Sequence, residues 1–174
     1  MTTPDQPPRV APATARRWLL PAFILICLVP GEGFAWLGIT IFGHDWDKGL
    51  IKPSVTQFNW VFFVLIWFVN YTTMGVAAWL IWLRRHEQPQ SVSRALRWFW
   101  LQLGLSFLWI PVVHGTNSLT AAVGMDIIVG IPAFVAGYQF YKIARPAFYW
   151  YVPYLIWTII TTHAKVWMYL LNHP

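Results

Sequence analysis

The sequence predicts an all-α integral membrane protein, a bundle of five transmembrane helices with the N-terminus cytoplasmic and the C-terminus on the opposite side. Three observations carry that prediction. Of 174 residues, 57% are hydrophobic and 10% charged, and the mean hydropathy is +0.50, more apolar surface than a soluble domain of this size can bury. Apolar runs of membrane-crossing length recur at about 18–42, 60–82, 95–113, 119–141 and 147–171. Lysine and arginine concentrate in alternate connections, as the orientation rule for membrane helices requires. The net charge of +6 therefore reads as topology and headgroup contact and carries no nucleic-acid signal, while the lone Cys27 excludes an intrachain disulfide.

Residues 1–15 hold four prolines and small polar side chains, too little apolar area to offset ordering entropy, so a flexible tail is expected before a single membrane domain at 16–174. Arg16 and Arg17 precede the first span, which is too long for a signal-peptide core and reads as a signal anchor; a twin-arginine signal cleaved near Ala35 is the lesser alternative. Within it Pro30, Gly31 and Gly33 mark a bend or a close helix contact, and Glu32 needs a compensating partner. The polar segment 43–59, with Trp46, Lys52 and Pro53, is long enough to be a lid over one mouth of the bundle. The second span sets Trp67, Asn70, Tyr71, Met74 and Ala78 along one stripe, with Gly75 allowing close backbone approach. A hydrophilic loop at about 83–93 follows. The third span puts Gln102, Ser106 and Trp109 on one face, and Pro111 ends or kinks it. On the fourth, Asp126, Gly130, Ala133 and Gly137 form a small-residue face, and Pro132 should bend the helix. The fifth aligns Tyr154, Trp157, Thr161, Lys165 and Asn172 on one side, with His163 pointing roughly the other way. No internal repeat is visible, which disfavours an inverted-repeat transporter.

Five spans place the termini on opposite sides. Arg9, Arg16, Arg17, Arg84, Arg85, Arg94, Arg97, Lys142 and Arg145 share the N-terminal side, whereas the opposite loops hold Lys48 and Lys52, offset by Asp45 and Asp47. The charge bias makes the N-terminal side cytoplasmic and favours a bacterial inner (cytoplasmic) membrane, with an outer membrane as the alternative.

A lysine at mid-membrane depth costs on the order of 3 kcal/mol unless it is compensated. Lys165 and Asp126 either form an intramembrane ion pair or face a cavity and meet a ligand of opposite charge. His44 and His114 fall on the outer side and could meet a haem or metal, although loop histidines are more often simply solvated. The nucleotide-binding loop, the HExxH and CxxC motifs and the serine nucleophile elbow are absent, and no catalytic residue is assigned. The stronger signal is the mixture of flat rings and hydrogen-bonding groups. Trp67, Asn70 and Tyr71, then Gln102, Ser106 and Trp109, then Tyr154, Trp157 and Thr161 suit a large planar, largely apolar ligand. The competing explanation is interhelical hydrogen bonding, worth about 1 kcal/mol per bond.

These residues resemble the TspO/translocator protein family, the tryptophan-rich sensory proteins and peripheral-type benzodiazepine receptors, from about Gly31 to Asn172. The resemblance rests on Trp46, Leu50, Lys52 and Pro53 in WDKGLIKP, and on Trp67, Tyr71, Met74, Gly75 and Trp82 in WFVNYTTMGVAAWLIW. It continues in Gln102, Leu103, Leu105, Trp109 and Pro111 of QLGLSFLWIP, and in Pro153, Tyr154, Trp157, Leu171 and Asn172. The chain departs from the family pattern at Ser106 and Lys165, where asparagines are usual, and it lacks the paired prolines after the KP segment. Lys165, Tyr169 and Leu171 fit the loose reversed cholesterol-contact pattern.

The resemblance implies a five-helix bundle, often a homodimer, whose loop-covered pocket binds porphyrin, haem or a sterol-like ligand, with no obligatory cofactor or metal. Carried over by motif, Trp67, Ser106, Trp109, Trp157 and Thr161 would serve as stacking walls and hydrogen-bond donors. A receptor or carrier for such a ligand is the first expectation. The rivals are an enzyme, in some relatives a light-dependent one, that degrades bound tetrapyrrole, and a membrane assembly subunit without a small ligand.

Overall fold

The structure is a computed structural model and describes residues 17–43, 46–53 and 60–173. The tail at 1–15 lies outside the described residues, as do His44, Asp45 and positions 54–59 of the expected lid. The described chain is all-helical: α1 (Leu19–Phe42), α2 (Trp60–Leu83), α3 (Pro89–Phe107), α4 (Trp109–Thr116), α5 (Leu119–Ile143) and α6 (Arg145–Asn172).

The stretches Leu19–Phe42, Val61–Leu83, Pro89–Thr116 and Leu119–Ile143 are long and apolar enough to cross a membrane. At 28 residues α6 is the longest helix, but it is less apolar because it carries His163, Lys165 and three threonines. Each helix packs on two neighbours in the cyclic order α1, α2, α6, α5, then the α3–α4 pair, which returns to α1. The bundle is thus a closed ring, with α2, α3 and α6 turning aromatic and amide side chains toward its centre.

Two departures from the expected spans have local causes. The third begins at Pro89, not near Ala95, because proline at the first helical position sacrifices no hydrogen bond and the opening turns already bury Val92 and Ala95. The expected loop at 83–93 shrinks to a turn at 84–88, whose backbone bonds run from Glu87 N and Gln88 N to Arg84 O. Farther along, the helix interrupts at Leu108. Pro111 has no N–H to offer the carbonyl of Phe107, so the ladder breaks one turn upstream and restarts with Val112 N bonded to Leu108 O. Pro132, by contrast, is buried inside an unbroken α5.

Close helix contact explains the glycines in α1 and α2. A Cβ on Gly75 would fall 2.6 Å from the Cα of Ile24, and one on Gly31 would collide with the ring of Tyr71. On α5, Asp126, Gly130, Ala133 and Gly137 are all buried, and Gly137 admits Leu155 and Tyr151 of α6. The larger core cluster, from Cys27 through Tyr71, Phe99 and Phe140 to Tyr154, occupies the half of the bundle nearer residues 83–92 and 140–147. A smaller one, Val113, Ala122, Met125 and Val129, lies at the other end beneath Trp46.

The outside of the ring is apolar. Leu25, Val29, Trp36, Leu65, Ile131, Ile159 and Leu170 are exposed, as lipid contact demands and water would not allow. Tryptophans divide between the two surfaces: Trp18, Trp36, Trp100, Trp150 and Trp167 are exposed, while Trp46, Trp67, Trp109 and Trp157 pack inward. At the basic end the cations lie on aromatic faces, Arg85 at 3.3 Å from the Trp82 ring and Lys142 at 4.6 Å from Tyr138.

Candidate ligand site in the bundle interior

The stripe on α2 brings Trp67 and Tyr71 into stacked contact, ring centroids 5.2 Å apart and planes at 29°. Trp67 also meets Trp157 of α6 edge-on at 6.4 Å, and Tyr71 approaches Phe107 of α3 at 6.5 Å. Gly31 gives the Tyr71 ring its berth against α1. Four helices thereby meet around one aromatic group.

Below it lies a polar knot. Gln102 Nε2 donates to Tyr154 Oη at 2.6 Å and to Ser106 Oγ at 2.9 Å, and its Oε1 accepts from Tyr151 Oη at 3.1 Å. Ser106 Oγ in turn donates to the Gln102 carbonyl at 3.0 Å, and Thr158 to that of Tyr154 at 2.9 Å. In hydrocarbon such groups must satisfy one another, and this set does so across α3 and α6. Tyr151 is a member that the stripe of expected site residues omitted; it sits three residues before Tyr154, so helical spacing alone places it on the same face.

Asn70 differs. Its side chain is 0% exposed, and neither Nδ2 nor Oδ1 has a hydrogen-bond partner. Burying an amide without partners costs roughly 2 to 7 kcal/mol.

Toward the outer end, Asp126 and Lys165 are paired, which resolves the choice between an ion pair and two cavity-facing charges. Lys165 Nζ lies 2.9 Å from Asp126 Oδ2, and Trp109 Nε1 donates to Oδ1 at 2.7 Å. The ammonium also stands 4.7 Å from the centroid of the Trp109 ring. Three helices are tied here by one carboxylate. Thr161 donates to the Thr158 carbonyl at 3.2 Å, a bond within α6.

The described part of the expected lid, 46–53, is held at Trp46 and at Ile51. Trp46 packs edge-on to Trp109 at 5.9 Å and lies against His114 at 6.1 Å. Farther on, Ile51 N donates to Asn172 Oδ1 at 2.9 Å, and Asn172 Nδ2 donates to Ile51 O at 3.0 Å. Lys52 pairs with Asp47 at 2.8 Å on the partly exposed surface, a contact worth at most about 1 kcal/mol, and Pro53 is buried. The Asn172 clasp was not anticipated, because Asn172 was assigned only to a helix face. His114 is buried with Nδ1 2.7 Å from the carbonyl of Gly43, where it ties α4 to the end of α1. Its expected companion His44 is not among the described residues, and among those described no three His, Cys, Asp or Glu side chains gather as a metal site needs.

Two open grooves flank the site. One of about 570 Å³ at the outer end is lined by Trp46, Lys48, Leu50, Asn117, Ser118, Leu119, Thr120 and His173. The other, about 400 Å³, lies between α1 and α3 along Phe34, Trp100, Gly104 and Phe107. Neither is lined by Trp67, Asn70, Tyr71, Gln102, Tyr154 or Trp157; Trp67 packs on Tyr71 and Trp157, and Gln102 bonds to Tyr154.

A ring of apolar helices enclosing packed aromatic rings, a hydrogen-bonded glutamine–tyrosine–serine group and a buried ion pair defines a helical integral membrane protein with an aromatic interior. The chain belongs to the TspO/MBR family, which residues 23–170 match. It is 28% identical to a tryptophan-rich sensory protein of Cereibacter sphaeroides over 140 residues, 80% of this chain and 82% of the relative. It is also 28% identical to the tryptophan-rich protein TspO of Archaeoglobus fulgidus over 129 residues, 74% and 81% of the two chains. The translocator protein of Bos taurus is 26% identical over 115 residues, 66% of this chain and 68% of that one.

Proposed function

We propose that the protein is a membrane receptor or carrier that holds a flat, hydrophobic ligand of porphyrin, haem or sterol type between α2, α3 and α6, beneath segment 43–59. The observation that carries this reading is the Trp67–Tyr71–Trp157 contact. Trp67 stacks on Tyr71 at 5.2 Å and meets Trp157 edge-on at 6.4 Å, an aromatic group that a planar guest can enter by taking the place of one ring. Trp67 is the ring able to yield. It is half-buried at the edge of the larger core cluster, and its neighbours Val61, Leu65 and Phe68 on α2 are exposed toward lipid, so it can swing outward at the cost of its contacts with that cluster. Trp46 over Trp109 and the Asn172 clasp close the outer end above the ligand. The family relationship to proteins named sensory and translocator favours binding over a purely structural role.

Titration of the detergent-purified protein with protoporphyrin, haemin and a fluorescent sterol tests the proposal. Saturable quenching of tryptophan fluorescence with a shifted Soret band is expected, weakened about tenfold or more in Trp157→Ala. Absence of saturable binding to all three probes overturns it. The same preparation, measured by light scattering with detergent subtracted, is expected to have the mass of a homodimer.

A further inference from the structure

The polar side chains of the interior are largely engaged with one another. Gln102, Ser106 and Tyr154 bond mutually, and Asp126 holds both Lys165 and Trp109. Asn70 stands apart from these sets. It is wholly buried, its amide nitrogen and oxygen both lack partners, and it lies one helical turn from Trp67 and next to Tyr71 on α2. Its backbone is ordinary helix, with its carbonyl accepting from Thr73 Oγ1 at 3.0 Å, so the unanswered groups belong to the side chain alone. Glu32 Oε1 and Thr72 Oγ1 are also buried without a hydrogen-bond partner, but among the described residues Asn70 alone leaves a whole amide, donor and acceptor, unanswered, and it is therefore a point where the proposed site can recognise polarity in its guest.

We propose, resting on the ligand-binding reading above, that Asn70 is the specificity-determining residue of this site and selects a flat ligand whose edge carries an N–H beside a C=O, as a lactam does. A primary carboxamide presents one donor and one acceptor side by side. A cis-amide in a ring presents the complementary pair, so the two close a two-point hydrogen-bonded ring without needing any other protein group. A guest with an apolar edge leaves both Asn70 groups unpaired in a medium that offers no water. Sites built to bond a polar group discriminate strongly against analogues that lack it.

The test compares three planar probes of similar outline, phenanthridinone, its N-methyl derivative and phenanthrene, by tryptophan quenching on the full chain and on Asn70→Leu, in detergent. Wild type is expected to bind phenanthridinone about tenfold or more tighter than the N-methyl compound, and Asn70→Leu to lose that preference while still binding phenanthrene. The N-methyl comparison is made within wild type, so it remains decisive if Asn70→Leu fails to fold. Equal affinity of wild type for phenanthridinone and its N-methyl form overturns the inference, as does an equal loss of all three probes in a folded Asn70→Leu; in both cases the ligand-binding reading stands. Wild type that binds none of these probes and no porphyrin, haemin or sterol overturns both.

Discussion

Lys165 is the residue whose position in lipid most needs explaining, and Asp126 and Trp109 explain it. The carboxylate accepts from the ammonium at 2.9 Å and from the indole at 2.7 Å, while the ring offers its face to the cation. The two charges would not be missed equally. Lys165 lies seven residues from Asn172, about two helical turns from the outer end, so without Asp126 its long stem can reach the headgroups. The short Asp126 side chain has no such route. Lys165→Met is therefore expected to destabilise by about 3 kcal/mol and Asp126→Asn, which keeps an acceptor for Trp109, by about 1 to 2, with the double variant milder than the sum. Denaturant titration in micelles, run as a double-mutant cycle, measures the coupling. Both residues were recognisable from sequence as intramembrane charges. Their pairing was not, because it depends on the rotation of α5 against α6, which helical periodicity within either helix leaves undetermined.

Helix contacts set a second group of expectations. Gly75→Ala would push a methyl group against the backbone of Ile24, which cannot swing aside, whereas a Cβ at Gly104 meets nothing within 4 Å. Thermal unfolding in detergent should show a loss of about 2 kcal/mol or more for Gly75→Ala and a neutral or slightly favourable effect for Gly104→Ala. The clasp between Asn172 and Ile51 holds a segment with little other packing to α6. Asn172→Ala is expected to raise amide hydrogen exchange at 46–53 at least tenfold while leaving the mid-membrane parts of α2 and α5 unchanged. Uniform protection across 46–53 in that variant would mean that Trp46 alone secures the lid. Pro111 shows how an element can be half legible. A proline predicts a break, but that the helix yields at Leu108 and resumes as α4 follows from the missing bond to Phe107, a geometric consequence one turn away.

Across the whole molecule, basic residues with aromatic partners crowd one end of the ring, at Arg85, Lys142 and Arg145, and segment 46–53 occupies the other. The expected orientation puts the basic end in the cytoplasm. Single cysteines at Lys48 and at Gln88, in a background where Cys27 is buried, should react with a membrane-impermeant maleimide from the outside at 48 alone, and at 88 only after the membrane is opened. Labelling of 88 in intact cells would reverse the topology. What the sequence by itself determined is the membrane class, the five long apolar stretches and the inward faces of α2, α3 and α6, since apolar length, charge bias and a 3.6-residue period are local properties of the chain. Only tertiary structure decided which inward groups satisfy one another: that Gln102 is saturated by Tyr151, Tyr154 and Ser106 while Asn70 is left unpaired, and that Trp67 rests on Tyr71. Those outcomes turn on ångström-scale distances between helices far apart in sequence, and periodicity within one helix carries no information about them.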